Sequence, residues 1–203
     1  MKRVIFAIIL LLAALPLAAA ADKPIAPDVR AVMEKALANE RDAVVRYTAF
    51  AAKAAEDGYR GAAALFTAMA KAENIHAQRF ASALKERGIA VIPESNGYKP
   101  MVGSTADNLR SAAVAENGER DGIYRDAIDT ARRNNDTEIA RIFDQTRDVE
   151  VEHANLCSTA SRNLDSMKQA RTYYVCDKCG YTTDIALARC PDCMHGGALE
   201  PVH

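Results

Sequence analysis

The sequence predicts a mainly α chain: a four-helix bundle with one long crossover, followed by a small appendage that needs metal to fold. Three observations predict it. Four long stretches are rich in Ala, Glu, Arg and Leu, the strong helix formers, with apolar residues three and four apart, as in Val29, Val32, Met33, Ala36 and Leu37. The gaps inside the first and second pairs of stretches are too short for anything but antiparallel hairpins. After Ala170 the helix formers give way to Tyr, Cys, Gly and Thr.

The first helix is expected from about Asp28 to Asp57, with Pro27 near its start and Gly58 ending it. The second runs from about Tyr59 to Arg87 and stops at Gly88. A 16-residue linker, Gly88 to Gly103, carries Pro93, Asn96-Gly97 and Pro100 and reads as irregular. The third helix begins near Ser104-Thr105, whose hydroxyls suit a cap, and reaches about Asn134. Gly118 and Gly122 weaken it by about 1 kcal/mol each relative to alanine and suggest a local bulge or a close approach. The fourth helix is expected from about Asp136 to Ala170. At about 30 residues, each rod is about 45 Å long. Two hairpins joined by one long crossover have the connectivity of a ferritin-like bundle. The tail of about 33 residues cannot build an apolar core of its own.

The first 21 residues read differently. Lys2 and Arg3 precede an apolar run from Val4 to Leu15, Pro16 breaks it, and Ala18 to Ala21 supply a cleavage site. This is the layout of a secretory signal peptide, so export to the periplasm is expected, with no membrane attachment after cleavage. The expected parts are thus residues 1–21, 22–170 and 171–203. Without the leader, 24 Lys and Arg face 27 Asp and Glu, a formal charge of −3, which gives no electrostatic case for nucleic acid.

Four of the five cysteines form two knuckles, Cys176-x-x-Cys179 and Cys190-Pro-Asp-Cys193. That spacing turns paired thiolates toward one point, so metal binding is favoured over disulfides even in an exported chain. Cys157 lies four residues after His153 and is expected to be buried and inert. His195 is placed to lend a hydrogen bond to the thiolates; it is not expected as a fifth ligand.

Upstream, Glu-x-x-His occurs twice, as Glu73/His76 and Glu150/His153, on the second and fourth helices. Residues three apart share a helix face, so each pair can aim at one point. The first helix offers Glu40, with Glu34 and Glu56 as competitors; the third offers Glu116 and Glu119. One glutamate from each of two helices and a Glu-x-x-His from each of the others is a di-metal carboxylate arrangement. Four glutamates balance two ferrous ions. A fifth has a role only when oxidation adds charge, so the site is expected to shift ligands between redox states.

These residues resemble the rubrerythrin family. The strings that carry the resemblance are Glu40 to Ala55 with Tyr47 seven residues after Glu40; Ala72-Glu73-Asn74-Ile75-His76; Glu116-x-x-Glu119 with Tyr124; and Ile139-Ala140-Arg141-Ile142-Phe143 leading to Glu150-Val151-Glu152-His153. Cys176-x-x-Cys179-Gly180-Tyr181 and Cys190-Pro191-x-Cys193-x-His195 resemble that family's rubredoxin-like domain. The resemblance implies that Glu40, Glu73, His76, Glu116, Glu119, Glu150 and His153 hold two non-haem irons. It implies that Tyr47 and Tyr124 stand beside them as hydrogen-bond partners, and that Cys176, Cys179, Cys190 and Cys193 hold one further iron. It also implies reduction of hydrogen peroxide to water, with electrons restored through the tetrathiolate iron, and a homodimer in which one subunit's rubredoxin-like domain lies near its partner's di-iron site.

Three departures stand against that pattern. Ten residues separate Cys179 from Cys190, about two fewer than usual, which makes zinc an alternative in the four-cysteine site. The chain has no tryptophan, and Tyr174-Val175 precede the first knuckle. The leader places the chain where nicotinamide cofactors are not available, so a periplasmic donor of unknown identity, such as a c-type cytochrome, is expected. The competing function is a ferritin-like iron-binding or ferroxidase protein with a structural zinc ribbon. A peroxide sensor is a weaker third, for want of an effector element.

Overall fold

The computed structural model describes residues 24–91 and 97–203. The expected leader lies outside the described residues, as do Pro93 and Asn96 of the linker. Helix α1 spans Pro27–Glu56 and α2 spans Arg60–Glu86. They end just before Gly58 and Gly88, whose φ values are +82° and +73°. Asp57, at the end of α1, accepts from Lys53 Nζ at 2.8 Å and from the backbone N–H and hydroxyl of Thr105 at 3.1 and 2.7 Å. This ties the close of the first hairpin to the opening of the second. Ser104 caps that opening by accepting from Asp107 N–H at 3.2 Å.

The third rod is not one uniform helix. It consists of α3, Thr105–Gly118, a π-helical turn, Glu119–Tyr124, and α4, Arg125–Arg133. An added Cβ at Gly118 or Gly122 would meet nothing within 4 Å, so of the two sequence expectations the bulge holds and the close approach does not. The wide turn has a geometric role. Glu40 and Tyr47 are seven residues apart in α1, whereas Glu116 and Tyr124 are eight apart. Seven residues make nearly two α-turns; eight overshoot by about 80°. The π-turn absorbs the extra residue and brings Tyr124 back to the inner face.

Helix α5 spans Thr137–Arg162, with Asp136 as its cap, and is shorter than the sequence suggests. The expected continuation to Ala170 is replaced by a 3₁₀ segment, Leu164–Lys168. Tertiary packing overrides propensity here. Met167 is buried against the bundle, and the returning chain passes so close to α2 that a Cβ on Gly61 would fall 2.7 Å from the Gln169 carbonyl oxygen.

Beyond it lies a three-stranded antiparallel sheet in the order β2-β1-β3, with β1 Tyr173–Val175, β2 Thr182–Thr183 and β3 Glu200–Val202. Val175 pairs with Thr182 on one side and Glu200 on the other. Tyr173, Val175 and Val202 join the apolar cluster of the bundle that holds Leu65, Met69 and Cys157. The small unit therefore sits on its own bundle. Among the described residues no helix is long and apolar enough to cross a membrane.

Two apolar clusters fill the bundle, one with Tyr47, Phe50 and Phe66, the other with Phe80, Tyr124 and Phe143. The carboxylates and imidazoles lie between them.

Candidate metal centres

Four rods deliver seven ionisable side chains to the middle of the bundle. Glu40, Glu73, His76, Glu116, Glu150 and His153 are each at most 1% exposed, and Glu119 is 8% exposed. Burying that many carboxylates among apolar side chains is costly unless positive charge compensates. The competitors on α1 point elsewhere: Glu34 pairs with Arg30 at 2.9 Å on the surface, and Glu56 lies near Lys53.

The side chains gather into two overlapping sets. Glu40, Glu73, His76 and Glu150 offer atoms within 4.8 Å of one another, and so do Glu73, Glu116, Glu150 and His153. Glu73 and Glu150 belong to both. His76 Nδ1 lies 2.9 Å from Glu73 and 3.2 Å from Glu150; His153 Nδ1 lies 2.9 Å from Glu150 and 3.1 Å from Glu73. Yet Glu40 Oε2, Glu73 Oε1, Glu116 Oε2, both Glu150 oxygens and His153 Nδ1 are buried with no hydrogen-bond partner. Donor atoms that converge without pairing suit two oxygen- and nitrogen-ligated cations, with Glu73 and Glu150 shared. The residues fit the group that the spacing suggests.

The titration pattern agrees. Burial, then the charges of Glu150 and Glu119, push Glu116 well above the usual carboxylate range; burial does the same for Glu40. Glu73 is held below that range, because the His153 and His76 imidazoles outweigh its burial. Both imidazoles are pushed up despite burial, chiefly by Glu150 at His76 and by Glu73 at His153. A cation entering here displaces these protons.

Glu119 belongs to neither set. It faces Arg46 Nη2 at 3.5 Å, and burial with the charges of Glu150 and Glu73 lifts its carboxyl to about 8. Arg46 also lies over the Tyr47 ring at 5.0 Å. The sequence grouped Glu119 with the other carboxylates but gave no sign of this arginine. Tyr47 donates to Glu116, and Tyr124 donates to Glu40. Each tyrosine thus serves the carboxylate of the other hairpin.

In the tail, Cys176, Cys179, Cys190 and Cys193 bring their sulfurs within 4.8 Å of one another, with Cys176–Cys193 at 3.7 Å and Cys179–Cys190 at 3.5 Å. No disulfide joins them. They fit one tetrahedral cation. His195 contributes its backbone N–H to the Cys193 sulfur, and that bond, against burial, helps hold the thiol below its usual range. Cys157 is fully buried beside Met69 Sδ at 3.3 Å, and burial pushes its thiol up, which matches an inert thiol.

The two centres touch through the imidazoles. His76 Nε2 lies 2.9 Å from the Cys179 carbonyl oxygen, and His153 Nε2 lies 3.2 Å from the Thr182 hydroxyl. A carbonyl only accepts, so His76 donates from Nε2 and turns its Nδ1 to the carboxylates. A side chain at residue 180 would block this approach: a Cβ on Gly180 would fall 2.6 Å from His76 Nε2. The resemblance implies a rubredoxin-like domain near the partner subunit's di-iron site; within this chain, the small domain also lies against its own bundle's imidazoles.

Comparison with known proteins places these features in a family. The rubrerythrin family model matches residues 31–160. Rubrerythrin of Porphyromonas gingivalis is 38% identical over 174 residues, covering 82% of this chain and 86% of that protein. Nigerythrin of Nitratidesulfovibrio vulgaris is 29% identical over 168 residues, covering 80% of each. Among solved structures, fully reduced, all-ferrous nigerythrin superposes with a TM-score of 0.79 at 27% identity, covering 88% of each chain. The bacterioferritin BfrA of Mycobacterium tuberculosis shares the fold alone, with a TM-score of 0.64 at 18% identity, covering 70% of this chain and 89% of that one. By sequence, by fold and by two sites suited to iron, the chain belongs to the rubrerythrin family.

Proposed function

We propose that this oxidoreductase-family protein reduces hydrogen peroxide to water, using two irons in the carboxylate site and a third in the tetrathiolate site. Each peroxide takes two electrons and two protons and leaves as two waters. Bound iron supplies the electrons and the Lewis acidity. Glu73 and Glu150, common to both sets, would be shared ligands, and Glu40 with His76, and Glu116 with His153, would complete the two positions. Glu119, buried beside both sets but in neither, would be available as a further ligand. Tyr124 and Tyr47 fix Glu40 and Glu116 and keep a phenolic proton beside each. The two apolar clusters keep bulk water out.

The observation that carries the reading is His76. One of its nitrogens faces the carboxylates, and the other donates to the carbonyl of Cys179, whose sulfur belongs to the tetrathiolate site. Electrons entering at the thiolates therefore have a short bonded route into the bundle. Zinc in place of the tetrathiolate iron tests this while keeping the small domain folded. We expect donor-driven turnover to fall at least about 100-fold, while the prereduced zinc-substituted protein still consumes one equivalent of peroxide at the native rate. Equal losses in both assays reject the relay. Native metal content separates this reading from an iron-storage protein with a zinc ribbon: three irons per chain against two irons and one zinc.

The leader makes export part of the proposal, with a donor drawn from the periplasm and a homodimer as the assembled form. Intact mass of the protein recovered from its native compartment reads the cleavage directly. A mature chain that begins after Ala20 or Ala21 is expected; one that retains Met1 to Ala21 rejects export.

A further inference from the structure

We propose that Thr182 is a positioning residue of the carboxylate site, setting the tautomer and ring orientation of His153 from the neighbouring domain. The proposal rests on the reading that the carboxylate site holds metal. Thr182 belongs to β2 of the small unit and is fully buried. Its Oγ lies 3.2 Å from His153 Nε2 and 2.9 Å from the Gly180 carbonyl oxygen.

A threonine hydroxyl has one proton and two acceptor lone pairs. The Gly180 carbonyl can only accept, so it takes that proton. What the hydroxyl presents to His153 is a lone pair. Nε2 must then carry a hydrogen, and in the neutral ring Nδ1 is left bare, facing Glu150 at 2.9 Å and Glu73 at 3.1 Å. That is the tautomer a cation between these carboxylates requires. Water does not compete, because both residues are fully buried. Pairing of Thr182 with Val175 fixes the strand, and Val175 is itself in the bundle's apolar cluster, so the hydroxyl is held in place.

His76 and His153 are thus oriented from one short segment, residues 179–182, by different means. The acceptor for His76 is a backbone carbonyl, which almost any sequence supplies. The acceptor for His153 is a side chain, which only threonine or serine supplies at this position. Valine has the shape of threonine without the lone pair, so Thr182→Val isolates the hydrogen bond from the packing.

Cobalt(II) titration of the metal-free protein tests this, because intense thiolate-to-cobalt absorption and weak d–d bands report the two sites separately. For Thr182→Val we expect unchanged thiolate absorption, which shows that the small domain is folded and filled. Cobalt affinity in the bundle should fall by about 10- to 100-fold. In the zinc-loaded protein the slowly exchanging Nε2–H signal of His153 should disappear from the proton NMR spectrum, and Thr182→Ser should restore both affinity and signal. The proposal is overturned if Thr182→Val binds cobalt in the bundle as wild type does, or if Thr182→Ser is as weak as the valine variant. A wild-type protein that takes up cobalt only at the thiolates also overturns it, by removing the metal reading beneath it.

Discussion

Glu73→Ala is expected to strip both irons from the bundle and abolish turnover. Glu73 is one of only two side chains common to both ligand sets, so its loss opens both positions at once. Its carboxylate also stands 2.9 Å from His76 and 3.1 Å from His153, so each imidazole loses a partner. Metal-derived transition-state stabilisation amounts to several kcal/mol, so the rate should fall by at least about 10³-fold. Glu40→Ala makes the contrast. It damages one set and leaves Glu73, Glu116, Glu150 and His153 together, so one bundle iron should remain. Misfolding is separated from metal loss by comparing the metal-free proteins, because Glu73→Ala also leaves two buried imidazoles short of a partner. Metal-free Glu73→Ala should melt below wild type yet keep the wild-type helical circular-dichroism spectrum at the assay temperature, so that lost iron reports lost ligands and not a lost fold. Two bundle irons in Glu73→Ala, with activity within about tenfold of wild type, would remove the shared-ligand assignment.

Withdrawing the metal from the tetrathiolate site should unfold the small domain and leave the bundle standing. Its three strands are two or three residues long, and its own cluster is Cys176, Cys179, Cys190 and Leu199 with a few partly buried neighbours. Tyr173, Val175 and Val202 anchor it to the bundle, at about 1.5–3 kcal/mol for each side chain fully buried. That does not offset the ordering of about 33 residues, whereas a structural metal contributes on the order of 10 kcal/mol. Hydrogen exchange is the measurement. Amides of β1, β2 and β3 should lose protection on chelation, while those in the middle of α1, α2 and α5 keep it. Continued protection of the strands in the chelated protein would show that packing alone holds the domain.

Much of this arrangement was legible in the residues. Helix ends at Gly58 and Gly88, the cap at Ser104, the two Glu-x-x-His pairs and the paired knuckles are local patterns, and local chemistry dictates them. The end of the fourth helix was not legible. Residues 163–170 have ordinary helix propensity, and what breaks the helix is distant: the backbone of this segment settles against Gly61 on α2. The separate position of Glu119 escaped for a similar reason. Its partner, Arg46, is 73 residues away, and the π-turn that carries Glu119 arises from an extra residue that spacing alone does not reveal. Nor did the sequence indicate that Thr182 would reach His153, because that contact requires the docked position of a domain whose own fold depends on metal.

The eight-residue interval between Glu116 and Tyr124 has a consequence for how the chain tolerates change. The third rod holds one surplus position in a loosened coil beside the chemistry, and the segments on either side keep their register. One residue can be lost there without turning the α4 residues Ala127, Ile128 and Ala131 away from the core they fill. Excision of Gly122 would use up that slack. The rod would tighten into one regular spiral, with Tyr124 seven positions after Glu116 and still facing inward. What would shift is Glu119, the buried acid carried on the loosened coil.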